Sequence, residues 1–313
     1  MWRCEIAAIL AAGPRGGNPG LFGEGRNLAH NPKISAVAQL VRRNDRDRFA
    51  TALFAAPERR EALWTLYAFN YEAARIREAV REPILGSIRL QWWRETVDAA
   101  AKGEPARKHE VAAPLAETIR AYGLGSVEFN RLLDAREQDM LADPPQTLAA
   151  LENYAAATGG SLVIMALRVL DAIEPENDGK YESRAETAGR HVGTAYALSG
   201  LLRAAAFHAR ARRSYIPAEL DPQRNVLNLK PTPELANAAR AISNAARSHL
   251  EKARALKDGL PRRGIAALLP AVLAETWLAR LETSRYDVFD PRLAAPDPWR
   301  SLRLWRAART GRF

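Results

Sequence analysis

Apolar residues along most of the chain recur at steps of three and four, which is the spacing of one face of an α-helix. The pattern is clear over residues 57–81, where Leu63, Leu66, Tyr67 and Ala74 share a face. Alanine is abundant and β-branched residues are few, which favours helix. Prolines and glycines lie between the long segments, as expected for breaks between helices.

From Ser35 onward the pattern predicts helix almost without interruption. Polar loops are predicted at 174–179 and from Tyr215 to Pro233, and no segment reads as a strand or as a repeat. We therefore expect one all-α helical bundle over residues 35–313. The predicted helices are 42–55, 57–81, 84–101, 111–122, 127–141 (capped by Ser126), 147–172, 180–210, 233–257, 263–283 and 299–309.

Residues 1–34 differ from the rest. A short apolar run from Ile6 to Ala12 precedes a stretch rich in glycine, proline and asparagine without helical period. The short run and Glu5 argue against a secretory signal. We expect either a disordered leader or a start site assigned too far upstream.

The composition of the chain limits its expected binding partners and cellular compartment. The net charge is +10, with 46 basic and 36 acidic residues, so acidic lipid headgroups or phosphorylated molecules are suitable partners. Basic residues do not interleave with aromatics as in a nucleic-acid groove, so nucleic acid is not expected. Cys4 is the single cysteine, which fits a reducing compartment. The longest apolar stretch, 264–274, contains Pro270 and is shorter than the roughly 20 residues of a membrane span.

Three segments carry specific information: residues 63–98 with "RLQWWRE", residues 151–170 with "LENYAAATGG", and residues 195–220 with "LLRAAAFHARARRSYIPAEL". In this order they resemble the squalene/phytoene synthase family. The resemblance implies the all-α isoprenoid synthase fold with a central cavity. It also implies an ancestral reaction, the head-to-head joining of two prenyl diphosphates with Mg²⁺ held by two pairs of aspartates.

Both aspartate pairs are replaced in this chain. The first falls at 74–78, which begins with Ala74 and ends with Glu78, and the second at 204–208, between Ala204 and His208. Residues four apart share a helix face, and Mg²⁺ requires carboxylate oxygens. We therefore expect no cofactor and no prenyl transfer. Mg²⁺ enters only if the chain is a transferase with an unrecognised diphosphate site.

In the residues that differ from the synthase motifs, this chain resembles a degenerate branch of the family, the phytoene-synthase-like assembly factors of mitochondrial respiratory complex I. Shared features are "AFN" at 68–70, "RxQWW" at 89–93, "LENYAxxT" at 151–158, "LLRAxxxHxxR" at 201–210 and "DxFxP" at 287–291. The resemblance implies a bacterial counterpart with complex I as partner. We expect it to be cytoplasmic, either free or peripheral on the inner face of the cytoplasmic membrane.

The resemblance also marks a vestigial substrate pocket, for which each residue has a structural alternative. His208 is either a ligand or acid/base, or a buried hydrogen-bonded residue. Glu78 is either a remnant ligand or part of a solvated ion-pair face. The glycines leave room for a chain or permit close helix packing, and a buried salt bridge is the alternative for Arg203 and Tyr215. The candidates are Phe69, Asn70, Ala74, Glu78, Gln91, Arg94, Tyr154, Gly159, Gly160, Arg203, Ala204, His208 and Tyr215.

Two further patterns concern surfaces. Asp134, Glu137 and Asp139 follow one another on one helix with Arg131 and Arg136 at hand, so an exposed face of ion pairs is expected. In the last helix, tryptophans 299 and 305 with Leu302 recur every three residues between arginines. That helix either binds a membrane surface or docks on the bundle by its tryptophans.

Three functions follow from these observations. The first is a non-catalytic assembly factor for complex I at the membrane surface. The second is a prenyl transferase, against which the missing carboxylates speak. The third is an isoprenoid- or lipid-binding module that keeps the cavity without the chemistry.

Overall fold

The structure is a computed structural model that describes residues 34–141, 143–173, 183–258 and 260–313. These residues form α-helices joined by short 3₁₀ turns and loops, and no strand occurs among them, which confirms the all-α prediction. The leader up to residue 33 and the polar loop 174–179 lie outside the described residues.

The helices follow one another closely along the chain. Their bounds are α1 Ala36–Asn44, α2 Arg46–Ala52, α3 Pro57–Ala74, α4 Ile76–Ala79, α5 Pro83–Ala101, α6 Ala112–Tyr122, α7 Ser126–Glu137, α8 Leu148–Ala155, α9 Ser161–Val169, α10 Arg184–Arg203, α11 Ala205–Arg210, α12 Pro233–Ala255, α13 Ile265–Leu268, α14 Pro270–Thr283 and α15 Arg300–Thr310.

Local chemistry explains where several helices begin and end. The side chains of Ser35, Thr147 and Thr232 accept hydrogen bonds from backbone N–H groups in the first turns of α1, α8 and α12, which satisfies donors that have no partner within the helix. Prolines open α3, α5 and α12, where a missing N–H costs nothing. Gly123 ends α6 in the left-handed conformation with φ of 58°.

Some predicted helices are divided. The predicted helix 42–55 is two helices, because Asp45 ends α1 and its carboxylate caps α2 at Arg48 N with a 3.0 Å bond. The predicted helix 57–81 stops at Ala74, and α4 follows as a separate turn. Pro270 divides 263–283, since proline cannot continue the hydrogen-bond ladder. Gly125 takes the cap position of α7 that was assigned to Ser126.

A close backbone approach in the core joins the glycine pair 159–160 to α10. Residues Ala156–Gly160 form a π-helical turn between α8 and α9, at the point where the sequence predicted a softened helix. A Cβ on Gly159 would lie 2.3 Å from the carbonyl oxygen of Gly193, and one on Gly160 would lie 2.9 Å from Cγ of Arg190. These distances require glycine, and the glycines therefore permit close helix packing.

The last helix, α15, docks on the bundle by its small apolar side. Leu304 and Ala307 are buried with Leu269 and pack near Phe54 of the α2 end. The tryptophans do not dock it: Trp299 is 60% exposed and Trp305 52% exposed. The alternative in which the tryptophans hold this helix is therefore wrong.

One described helical segment, Arg262–Thr283, is long and apolar enough to cross a membrane. Of the 18 most apolar consecutive residues in this segment, 61% are buried inside the protein. Core helices of globular proteins meet the same criterion when their apolar residues are covered by neighbouring helices, as they are here.

Candidate functional site

A polar cluster lies in the interior around the carboxylate of Asp139. Helix α7 tightens after Glu137 into the 3₁₀ turn Gln138–Met140, and this turn directs Asp139 inward, where it is only 4% exposed. Its Oδ1 accepts hydrogen bonds from the hydroxyls of Tyr154 (2.8 Å) and Tyr215 (2.6 Å). The prediction of an exposed Asp139 is wrong: Asp139 lies four residues after Ala135 and seven after Leu132, which places it on the buried face of this helix.

Arg136 supplies the positive charge of this cluster. It donates to the Tyr154 hydroxyl at 2.6 Å, lies 3.4 Å from the Asp139 carboxylate and donates to Oδ1 of Asn70 at 3.4 Å. Arg213 donates to the backbone carbonyl of Asp139. Burial raises the pKa of the Tyr154 hydroxyl, so it stays protonated and can donate. Asp139 is therefore paired within the cluster, whereas the buried Nε of Arg136 has no hydrogen-bond partner in the described structure.

His208 lies at the edge of the same cluster. Its ring meets the Tyr215 ring edge-on, with centroids 4.8 Å apart. Burial, with the neighbouring positive charge of Arg213, lowers the pKa of His208 from 6.5 to about 4. The ring is therefore neutral near pH 7. Beside it is a cavity of about 10 Å³, lined in part by Leu151, Tyr215 and Ile242, which has the volume of about one water.

Residues 204–208, where the family resemblance places the second metal motif, begin next to an ion-pair network. Arg203, the last residue of α10, binds Oδ2 of Asp47 on α2 at 2.9 Å, and Arg300 at the start of α15 binds Oδ1 at 2.8 Å. Burial alone would raise the pKa of Asp47, but the two arginines outweigh it and the pKa is lowered. Arg203 thus forms an ion pair, but its side chain is 49% exposed, so the alternative of a buried salt bridge is wrong for this residue. Ala204 follows it half-buried between α10 and α11.

Residues 74–78, where the family resemblance places the first metal motif, span the break between α3 and α4. Ala74 is half-buried at the end of α3 and Glu78 is exposed on α4. Arg75 pairs with Glu72 at 3.3 Å. Positions 74, 78, 204 and 208 offer one carboxylate and one imidazole. This donor set does not fit Mg²⁺, and the described residues contain no group of three or more His, Cys, Asp or Glu side chains placed to hold a metal.

The remaining candidates lie outside the cluster. Gln91 is exposed and hydrogen-bonds Glu95 at 3.4 Å. Arg94 binds Asp134 at 2.7 Å and Glu137 at 3.2 Å, so these carboxylates pair with α5 and not with the arginines of their own helix.

Phe69 is fully buried in the apolar core. Its ring meets those of Trp93 (5.2 Å) and Phe129 (5.3 Å) edge-on. This arrangement is typical of aromatic packing in a protein interior.

The structure therefore brings four predicted residues together. They are Asn70, Tyr154, His208 and Tyr215. Sequence reasoning missed Arg136, Asp139 and Arg213 as their partners. One signal was available for two of these: Arg136 lies four residues after Leu132 and Asp139 four residues after Ala135, so helical spacing places both on the buried face.

Comparison with known proteins identifies the family of this helical bundle. Residues 41–300 match squalene/phytoene synthase, and the chain belongs to this family. It is 27% identical over 292 residues to NADH dehydrogenase (ubiquinone) complex I, assembly factor 6 from Bos taurus, covering 90% of this chain and 85% of the relative. The corresponding protein of Mus musculus is 27% identical over 260 residues, covering 82% and 75%.

Among solved structures, a dehydrosqualene synthase in complex with ligand superposes with a TM-score of 0.71. The two chains are 15% identical, and the match covers 88% of this chain and 94% of the other. The likeness confirms the isoprenoid synthase fold. The sequence relatives confirm the resemblance to the assembly-factor branch.

Proposed function

We propose that this protein is a non-catalytic member of the squalene/phytoene synthase family that assists the assembly of respiratory complex I. The observation that carries the proposal is the Asp139 cluster. Where a synthase needs free carboxylates for metal, the only carboxylate at the centre of this cluster is already bound by Tyr154 and Tyr215 and lies beside Arg136. Relatives named as complex I assembly factors support the assembly role.

The loss of catalysis follows from charge. Departure of a diphosphate requires its developing negative charge to be neutralised, which metal ions accomplish. Each tenfold in rate corresponds to about 1.4 kcal/mol of barrier. The exposed Glu78 and the neutral His208 do not replace two pairs of aspartates. The cavity beside His208, at about 10 Å³, adds no room for a prenyl chain.

Attachment to the membrane surface is part of the proposal. Helix α15 presents Trp299, Leu302 and Trp305 outward. Two of its arginines are used within the protein, Arg300 and Arg303. Arg306 and Arg309 make no ion pair within the described chain, and they can meet acidic headgroups while the tryptophans enter the interface. The protein would then act on the inner face of the cytoplasmic membrane.

The catalytic half of the proposal is tested with purified protein. Farnesyl or geranylgeranyl diphosphate and Mg²⁺ are added, and diphosphate release and hydrocarbon product are followed beside an active squalene synthase. We expect no turnover above the protein-free control. Turnover that is abolished by Glu78→Ala or His208→Ala would revive the transferase.

The assembly half is tested in cells. Deletion of the gene should lower the amount of assembled complex I in native gels and the NADH:quinone activity of membranes, and the wild-type gene should restore both. Normal complex I in the deletion strain would refute the assembly role. A prenyl lipid that copurifies with the protein would instead favour the lipid-binding module.

A further inference from the structure

A second exposed apolar surface lies at the start of α5, formed by Ile84, Leu85 and Ile88. We call it the α5 patch. Ile84 is 62% exposed, Leu85 47% and Ile88 58%. Positions 84 and 88 are one helical turn apart and form a single stripe. Contiguous exposed apolar side chains of this kind mark interaction sites.

The patch is carried by a helix that is held in place from its other side. Gly86, on the buried face of α5, approaches Met140 so closely that a Cβ at position 86 would lie 2.2 Å from the Met140 sulfur. This contact holds α5 against the turn after α7. The aliphatic side chains on the opposite face therefore project from a fixed helix, which suits a docking surface.

The shape of the patch favours a protein over a bilayer. The stripe is short: one and two turns further along the same face, positions 91 and 95 are the polar Gln91 and Glu95, and both are exposed. A helix that lies in a membrane presents a longer apolar face with tryptophan at its edges, as α15 does. Aliphatic anchors one helical turn apart, such as positions 84 and 88, are typical of helix recognition by a complementary amphipathic helix.

Charge indicates the character of that helix. Arg81 and Arg89 flank the stripe, are exposed, and make no ion pair within the described residues. The carboxylates nearest to Arg81 in the sequence are Glu82 and Glu78, and Glu78 already has a partner. Because arginine pairs well with carboxylates at interfaces, the unpaired rim complements acidic residues.

We infer that the α5 patch docks an acidic amphipathic helix of the protein that this factor assists. This inference rests on the proposed assembly function and names the surface through which it acts. Membrane attachment through α15 and partner docking through α5 then use separate surfaces of one chain.

The contact is tested by photo-crosslinking in cells. Ile88→p-benzoylphenylalanine is the probe, and Val127→p-benzoylphenylalanine on α7, where Val127 is 51% exposed, is the control. We expect position 88 to yield an adduct whose peptide is an acidic amphipathic helix, and position 127 to yield none. Charge reversal by Arg81→Glu with Arg89→Glu should lower the adduct at least about fivefold, whereas the two Arg→Lys changes should preserve most of it.

Three results would overturn the inference: an adduct to lipid, no adduct at position 88, or an adduct that charge reversal leaves unchanged. The assembly readout separates this inference from the proposed function. Ile84→Gln with Ile88→Gln should reduce assembled complex I to the level of the deletion strain, while vesicle binding and the unfolding midpoint stay unchanged. If the deletion strain has normal complex I, the assembly role fails, and the adduct alone decides whether the α5 patch is a docking surface.

Discussion

The Tyr154 hydroxyl donates a 2.8 Å hydrogen bond to the buried carboxylate of Asp139. Tyr154 belongs to α8 and Asp139 to the turn after α7, so the bond fixes two segments at the centre of the bundle. In a metal-dependent synthase the centre must stay open to metal and diphosphate. Here Arg136, Asp139 and two tyrosines fill this part of the interior, and their removal has consequences for stability that can be measured.

Asp139→Ala should destabilise the protein strongly. The change leaves Arg136 in the interior without its carboxylate partner, and removal of one member of a buried pair costs about 3–5 kcal/mol. Urea unfolding followed by circular dichroism measures the loss. The matched control is Asp134→Ala, which removes a largely exposed partner of Arg94 and should cost about 1 kcal/mol or less. Equal losses for both variants would contradict a central role for Asp139.

Gly159→Ala should also be costly. The new methyl group would meet the Gly193 carbonyl oxygen at 2.3 Å, and relief requires the helices to separate, at about 1–3 kcal/mol or more. Gly200→Ala on α10 is the control, because no atom lies within 4 Å of a Cβ there. That change should raise stability by about 0.5–1 kcal/mol, since alanine is the better helix former. Thermal denaturation measures whether the unfolding midpoint falls for Gly159→Ala and rises for Gly200→Ala.

The low pKa of His208 predicts a stability that depends on pH. Its folded pKa of about 4 lies below the ordinary 6.5, so the unfolded chain binds the proton more readily between these values. The contribution of neutral His208 is therefore complete above pH 6.5 and is lost as the pH falls towards 4. From pH 7 to pH 5 this amounts to at most about 2 kcal/mol.

His208→Gln should remove that part of the pH dependence. The free energy of urea unfolding, measured at several pH values, should fall less steeply for this variant than for the wild type below about pH 6.5. His249 also has a lowered pKa because it is partly buried, but it is present in both proteins and its contribution cancels in the comparison. Parallel curves would show that His208 titrates normally in the folded state.

Substitution on the outer face of α15 should weaken membrane binding. Trp299→Gln with Trp305→Gln removes the exposed aromatic side chains, and we expect binding to vesicles of phosphatidylcholine and phosphatidylglycerol to fall at least about tenfold. Binding should also weaken with added salt or without phosphatidylglycerol, because each arginine near an anionic surface contributes about 1 kcal/mol. Cosedimentation measures both effects. Ile84→Gln with Ile88→Gln is the control; a larger loss from that pair would move the membrane face to α5.

The sequence was sufficient to predict the all-α class and most helix boundaries. Prolines 57, 83 and 233, and the capping side chains of Ser35, Thr147 and Thr232, act within one turn of their own position. Such local effects are visible in any single sequence. The breaks at Asp45 and Ala74 were less visible, because the apolar period continues across both.

The site was predicted only in part, for a physical reason. Tyr154 and Tyr215 were identified through the family resemblance, but the residue that joins them, Asp139, was assigned to the surface. Tyr215 is 76 positions away from Asp139, and no local pattern reports a contact at that separation. Helical spacing does place Asp139 on the buried face, four residues after Ala135 and seven after Leu132, but charge alone grouped it with Asp134 and Glu137.

The Asp47 carboxylate holds Arg203 with one oxygen and Arg300 with the other. A nonsense mutation late in the gene that deleted only residues 300–313 would therefore remove contacts made by residues distant in the sequence. The truncated chain would leave Leu269 uncovered and Asp47 with one cation in place of two. It would also lose the Phe313 carbonyl that Arg254 binds at 2.6 Å. Alleles that shorten this protein slightly should thus behave like null alleles through degradation of the chain, even though they spare every residue of the Asp139 cluster.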